Sequence, residues 1–205
     1  LVTFLLLPLY TNKFTPEQYG VVALFYTFVP LLNIIMRYGM GAAFLKNYVP
    51  ANSEERVSIM TNVIVSLFIS GIPFLALFYF FRVDLAYVFF GVVKPSYVVI
   101  MGVIVFLDTI WSIPMLAFRA ENRPHIFITL SLLNVGITLF CNLLFIIVFK
   151  MSIGSIFLSN LIASSSLFIL VIPYISQRFK VSSLSIIKWK NILSFALPFI
   201  PAGLF

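Results

Sequence analysis

The sequence predicts an all-α membrane protein, a polytopic bundle of transmembrane helices, and two observations carry that prediction. Hydrophobic residues make up 62% of the 205-residue chain and charged residues only 9%, with a mean hydropathy of +1.13. A soluble domain is about a quarter charged, so this chain lacks the polar surface that a water-facing exterior needs. The apolar residues also fall in runs long enough to cross a bilayer, which takes ~20 residues per helix. Barrel strands would be ~10 residues of alternating polarity, and no segment alternates in that way.

The first apolar run, residues 1–10, is too short to span, and it has no charged flank that would make it a signal peptide. Five complete spans follow, at residues 20–45, 57–81, 97–118, 126–149 and 152–176. The last run, 192–205, is again incomplete, so the chain reads as a piece of a longer one. Residues 86–93 are apolar but bounded by Arg82, Asp84 and Lys94; too short to cross, they are expected at the membrane interface. The connectors carry turn chemistry: Thr15-Pro16, Pro50-Ala51-Asn52-Ser53, Lys94-Pro95-Ser96 and Asn122-Arg123-Pro124. Residues 177–191 mix Arg178, Lys180, Lys188 and Lys190 with Phe179, Val181, Leu184, Ile186, Ile187 and Trp189. Such a segment is expected to lie on the inner membrane surface, held by its apolar side chains and by anionic lipid.

A net charge of +7 could point to nucleic acid, but the basic residues sit in short clusters between apolar runs. That pattern reports orientation and contact with membrane lipids, and no nucleic-acid partner is expected. Lys13, Arg82, Lys94 and Lys150 lie on one side of the implied topology. Lys46, Arg56, Arg119, Arg123, Arg178, Lys180, Lys188 and Lys190 lie on the other. The excess places the second set, and the N-terminus, in the cytoplasm of a multi-pass protein of the cell membrane. Cys141 is the only cysteine, which excludes an internal disulfide.

Two charges fall deep inside spans, Arg37 and Asp108. A charge at mid-membrane costs ~2.5–3.5 kcal/mol, so each is expected to face protein or a water-filled cavity. Counted from Lys46 and Arg119 at helical rise, they sit roughly 13 Å and 16 Å above the same edge. One reading is an anion site at Arg37 beside an ion- or proton-responsive carboxylate at Asp108. The other is a structural ion pair, or an arginine reaching toward the interface. Asn33, Arg37 and Gly41 are spaced four apart. Ser131, Asn134, Thr138, Cys141 and Asn142 share one helical face, which either lines an aqueous cavity or ties helices together. Ser152, Ser155, Ser159, Ala163 and Ser166 read as a small-residue packing face. Prolines at 8, 30, 73, 114, 173, 198 and 201 permit kinks. The single histidine, His125, stands in a connector beside Pro124, and Glu54-Glu55 is the one pair of adjacent carboxylates. With no metal-ligand cluster or nucleotide loop, neither a cofactor nor catalysis is expected.

Several segments, in order, resemble the polysaccharide-biosynthesis branch of the multidrug/oligosaccharidyl-lipid/polysaccharide flippase superfamily. They are Leu-Pro-Leu-Tyr-Thr at 7–11, Phe-Thr-Pro-Glu-Gln-Tyr-Gly at 14–20 and Arg-Tyr-Gly-Met-Gly-Ala-Ala at 37–43. Phe-Arg-Ala-Glu-Asn-Arg-Pro at 118–124, Ile-Gly-Ser at 153–155 and Leu-Ser-Phe-Ala-Leu-Pro-Phe-Ile-Pro at 193–201 continue the series. The resemblance implies two six-helix lobes around a central cavity. Residues 1–176 would form the first lobe, 177–191 a basic linker, and 192–205 the start of the second lobe. It also implies a carrier, not an enzyme, that exports a lipid-linked oligosaccharide of the polyprenyl pyrophosphate type by alternating access. Arg37 would then attract the pyrophosphate or an acidic sugar, with Asn33 also among the substrate-binding residues. Asn134, Thr138 and Asn142 would meet sugar hydroxyls, and Asp108 would couple transport to protons or sodium. The rival readings are a multidrug or small-solute exporter of the same superfamily, and a membrane-embedded polysaccharide polymerase or glycosyltransferase. An acidic cavity would favour the first and a large outer loop the second; neither stands out in the sequence.

Overall fold

A computed structural model describes residues 2–91, 94–196 and 198–199, and among these every regular element is a helix. Helix α1 (Val2–Lys13) leads to α2 (Pro16–Arg37) through a complete capping box. Thr15 Oγ1 accepts from the Gln18 amide at 3.3 Å, and Gln18 Oε1 accepts from the Thr15 amide at 3.2 Å. These bonds satisfy amides that a helix start leaves open, with Pro16 set at the first turn, where no donor is needed.

The expected uninterrupted span at 20–45 is two helices. α2 stops at Arg37, and α3 (Met40–Tyr48) begins after two residues with positive φ, Tyr38 at 33° and Gly39 at 78°. Proline is not the cause. A Cβ on Gly39 would lie 2.1 Å from the carbonyl oxygen of Ala196, so the break is shaped by close backbone packing against a later helix. Gly41 therefore does not continue the helical face of Asn33 and Arg37.

The other spans follow expectation with longer ends. α4 (Ser53–Phe80) starts on a second capping box, between Asn52 and Glu55. α5 (Arg82–Phe90) covers most of the short apolar piece and ends on Gly91 at φ 65°; Val92 and Val93 lie outside the described residues. Ala86 and Phe90 of α5 are buried in the bundle, so this helix packs inward against α2 and α6. α6 (Pro95–Ala120), α7 (Pro124–Leu143, continued by a π-helical turn Leu144–Val148) and α8 (Gly154–Gln177) complete the set. Five helical segments are long and apolar enough to cross a membrane: α2, α4, α6, α7 with its π turn, and α8. Pro8, Pro30, Pro73, Pro114 and Pro173 all sit inside helices. His125 stands in the first turn of α7, exposed.

α6 is the most buried of the five and pairs most extensively with α8. Its contact with α4 is reciprocal: Gly71 of α4 leaves room for the Phe106 ring, and Gly102 of α6 leaves room for Phe78. Small residues at such crossings let helices approach closely where lipid offers no hydrophobic drive. The small-residue face of α8 behaves likewise: Ser155, Ser159 and Ala163 are buried, with the Ser159 hydroxyl donating to the Ser155 carbonyl and the Ser155 hydroxyl to the carbonyl of Ser152, just before the helix.

Segment 177–191 is partly helical. After a 3₁₀ turn (Val181–Ser183), α9 runs Ile186–Ala196 and docks on α3 and α4. α4 side chains grip the linker backbone: Asn62 Oδ1 accepts from the Ser185 amide at 3.2 Å, Ser58 Oγ donates to the Ser183 carbonyl at 2.8 Å, and Thr61 Oγ1 accepts from the Lys180 amide at 3.1 Å. The expected helix at 192–205 is thus described only for its beginning; 197 and 200–205, Pro201 included, lie outside the described residues.

Candidate functional site

Two apolar clusters fill the bundle, and the ionisable residues sit between them. One cluster, near the end of the bundle where α5 packs, includes Phe25, Met36, Val105 and Phe157, with Tyr97 stacked on Phe157 at 4.3 Å. The other, at the end carrying Lys46, Arg56 and Arg119, includes Met40, Phe44, Met60, Ile110 and Ile113. On α6, Asp108 falls between Val105 and Ile110; on α2, Arg37 falls between Met36 and Met40. The waist of the bundle is therefore polar.

At this waist Asp108 Oδ1 accepts from Ser164 Oγ of α8 at 2.6 Å and from Trp111 Nε1, one turn on, at 2.9 Å. Asn33 of α2 adjoins the same carboxylate and lies 3.5 Å from Thr109 Oγ1. The Arg37 and Asp108 charges interact across the gap without forming an ion pair; among the described residues both ion pairs are on Glu121. Arg37 Nε and Trp189 Nε1 of α9 are buried and have no hydrogen-bond partner among the described residues. A buried polar group without a partner costs free energy. The carboxylate is thus held by neutral donors, while Nε of the guanidinium beside it is left without one of its own.

A second polar group lies along the same helices. Asn142 of α7, fully buried, accepts from Tyr10 OH at 3.1 Å, and Tyr10 OH stands 3.4 Å from Tyr26 OH. Tyr26 OH in turn accepts from Asn160 Nδ2 at 3.2 Å. Asn160 and Ser164 are one turn apart on α8, and Tyr26, Asn33 and Arg37 follow one stripe of α2. The two groups are thus one turn apart on α8 and share one stripe of α2.

Sequence reading and structure can be compared residue by residue. Arg37, Asn33 and Asp108 are brought together. Asn142 lies in the second group. Thr138 donates to the Asn134 carbonyl and accepts, at its own carbonyl, from Asn142 Nδ2. Among the described residues no hydrogen bond joins Asn134 or Thr138 to the Arg37–Asp108 group. Ser164, Trp111, Asn160, Tyr26 and Tyr10 were not anticipated. Ser164 lies next to Ala163 of the small-residue stripe but off its face, and the tyrosines sit in apolar runs where only tertiary contacts reveal their hydroxyls.

At the basic end, Glu121 ties three elements. It accepts from Tyr48 OH at 2.7 Å and Tyr174 OH at 2.9 Å, and pairs with Arg178 at 3.2 Å. Burial pushes its carboxyl up, but these two hydroxyls and the Arg178 charge outweigh it and hold the group below the usual carboxylate range. Glu55 of the Glu54-Glu55 pair is occupied as the cap of α4. No group of three or more potential metal ligands occurs among the described residues.

A bundle of five membrane-length helices around a polar, charged waist defines an integral membrane protein with ionisable groups between its helices. The model of the polysaccharide biosynthesis protein family matches residues 1–205, and the chain belongs to that family of multi-pass, typically flippase-like membrane proteins. No curated protein and no solved structure matches it.

Proposed function

We propose that this chain is part of a flippase that moves a lipid-linked oligosaccharide from the inner to the outer leaflet of the cell membrane during cell-surface polysaccharide synthesis. The observation that carries the reading is Arg37 Nε, buried at mid-bundle without a hydrogen-bond partner among the described residues, its neighbouring carboxylate already held by Ser164 and Trp111. A cation kept available in this way suits a ligand that brings its own anion, such as a polyprenyl pyrophosphate head group, which cannot cross hydrocarbon unaided. The lipid tail stays in the bilayer while the head follows a polar path. A second lobe would close the path, and rocking of the two lobes would give alternating access. The basic excess at the Lys46, Arg56 and Arg119 end supports placing that end and the N-terminus in the cytoplasm. An arriving pyrophosphate competes for Arg37 and leaves Asp108 less compensated, so that uptake of a proton or sodium ion follows substrate.

The test is export of the lipid-linked oligosaccharide by Arg37→Ala, normalised to its abundance in the membrane. Loss of export at normal abundance is expected. Normal export at normal abundance refutes the cationic site.

A further inference from the structure

The docking of α9 on α3 brings together two lysines that are far apart in the sequence. A cleft of about 380 Å³ opens between these helices and the start of α4, lined by Lys46, Asn47 and Pro50, and by Glu55, Lys188 and Asn191. Neither lysine has an ion-pair partner among the described residues. Glu55 is the one carboxylate in the lining, and it is already engaged by the Asn52 amide at 3.1 Å. Lys46 Nζ stands 3.6 Å from the centroid of the Phe195 ring of α9, a contact that positions the ammonium without neutralising it. The cleft therefore carries net positive charge, two lysines from its two walls against one carboxylate.

The chain positions next to its lining are apolar and open: Val49 beside Pro50 is 55% exposed, and Ile187, just before Lys188, is 75% exposed. A basic cleft flanked by exposed aliphatic side chains matches an amphiphile: an anionic head in the cleft and acyl chains along those side chains. A free phosphate would use the lysines and leave the aliphatic side chains in water.

We propose that the Lys46–Lys188 cleft binds the phosphate ester of an anionic phospholipid, and that the bound head group pins the linker helix α9 to α3. An anion bridging the two ammoniums relieves their mutual repulsion, so occupancy holds α9 against the lobe. The site lies at the basic end, apart from Arg37, and stands whether or not Arg37 receives a pyrophosphate.

The protein is reconstituted in vesicles of phosphatidylcholine alone or phosphatidylcholine mixed with phosphatidylglycerol, and amide hydrogen exchange is followed across residues 186–196. Phosphatidylglycerol should slow exchange there by roughly tenfold, with each lysine contributing about equally, and high salt should reverse the effect. Lys46→Gln/Lys188→Gln should lose that response while exchange in α6 and α8 stays as in the unaltered protein. Lys46→Arg/Lys188→Arg should keep it. In phosphatidylcholine vesicles, inorganic phosphate alone should not reproduce it; equal protection by inorganic phosphate overturns the assignment to lipid. Equal protection in the double glutamine variant, or no response to phosphatidylglycerol in the unaltered protein, overturns the site. If the glutamine variant fails to fold, the salt reversal and the arginine variant decide.

Discussion

Ser164 Oγ donates to Asp108 Oδ1 at 2.6 Å, so a neutral hydroxyl on α8 takes the place of an arginine partner. Trp111 Nε1 completes the arrangement from the same helix as Asp108. A hydrogen bond to a charged group is worth about 1.5–3 kcal/mol. Ser164→Ala and Trp111→Phe should each lower the thermal stability of the purified protein in detergent by an amount of that order. In an Asp108→Asn background both effects should shrink, because the acceptor has lost its charge. A double-mutant cycle on melting temperature checks this, and full additivity would contradict the arrangement.

Gly39 makes a second prediction. Its φ of 78° costs an L side chain ~1–2 kcal/mol, and a Cβ would also collide with the Ala196 carbonyl. Gly39→Ala should therefore sharply reduce the folded, monodisperse fraction recovered in detergent. Gly20 is the control: it sits within α2 with nothing within 4 Å of an added Cβ. Gly20→Ala should be neutral or stabilising by up to about 1 kcal/mol, through helix propensity alone.

The same glycine shows where sequence reading succeeded and where it stopped. Span number and approximate limits were legible because lipid demands long apolar runs. Arg37 and Asp108 stood out for the same reason, as charges that hydrocarbon would not tolerate unpartnered. The break at Tyr38–Gly39 was invisible because residues 20–45 read as one run of spanning length and the cause lies more than 150 residues away, at Ala196. Asp108's partners were equally hidden: serine is an ordinary packing residue in a membrane helix until its neighbour across the interface is known. The Asn134–Thr138–Asn142 stripe illustrates the converse. Its period was read correctly, yet period alone does not show that Asn142 meets Tyr10 while Thr138 bonds within its own helix.

Glu121 predicts a pH dependence at the basic end. Its folded carboxyl is held below the usual 4.5, so ionised Glu121 contributes stability that is fully present above that value. The contribution is lost as pH falls through the depressed folded value. Melting temperature should accordingly drop as pH is lowered through and below the ordinary glutamate range, and Glu121→Gln should flatten part of that drop. At neutral pH, Glu121→Ala should cost about 2 kcal/mol, from the charged hydrogen bonds with Tyr48, Tyr174 and Arg178. An unchanged pH profile in Glu121→Gln would remove Glu121 from the account.

The topology can be tested at positions chosen to leave the structure intact. Asn52 caps α4, and Asn122 holds φ at 55°, so cysteine at either would disturb the backbone. Glu54, His125 and Ser182 are exposed at the basic end, and Arg82 is partly exposed at the opposite end. In a Cys141→Ser background, Arg82→Cys should react with an impermeant maleimide in intact cells. Glu54→Cys, His125→Cys and Ser182→Cys should react only after permeabilisation. The reverse pattern would invert the orientation.

The Arg37–Asp108 relationship carries the last prediction, and it separates transport from folding. If the pair is only structural, neutralising either member leaves the other exposed to an apolar surround, and the folded amount falls with both Arg37→Ala and Asp108→Asn. The double variant then recovers folding and export together, since a matched neutral pair costs little. The geometry argues otherwise: the two charges interact without an ion pair, and Asp108 keeps Ser164 and Trp111 whatever happens at Arg37. Arg37→Ala should therefore reach the membrane at near-normal abundance and fail to export, while Arg37→Lys retains part of the activity because a point charge still attracts a pyrophosphate. Asp108→Asn should keep substrate binding and lose the dependence of export on the ion gradient. The double variant should export no better than Arg37→Ala. Restoration of export in the double variant would assign the pair to folding and leave the substrate anion without a partner in this lobe.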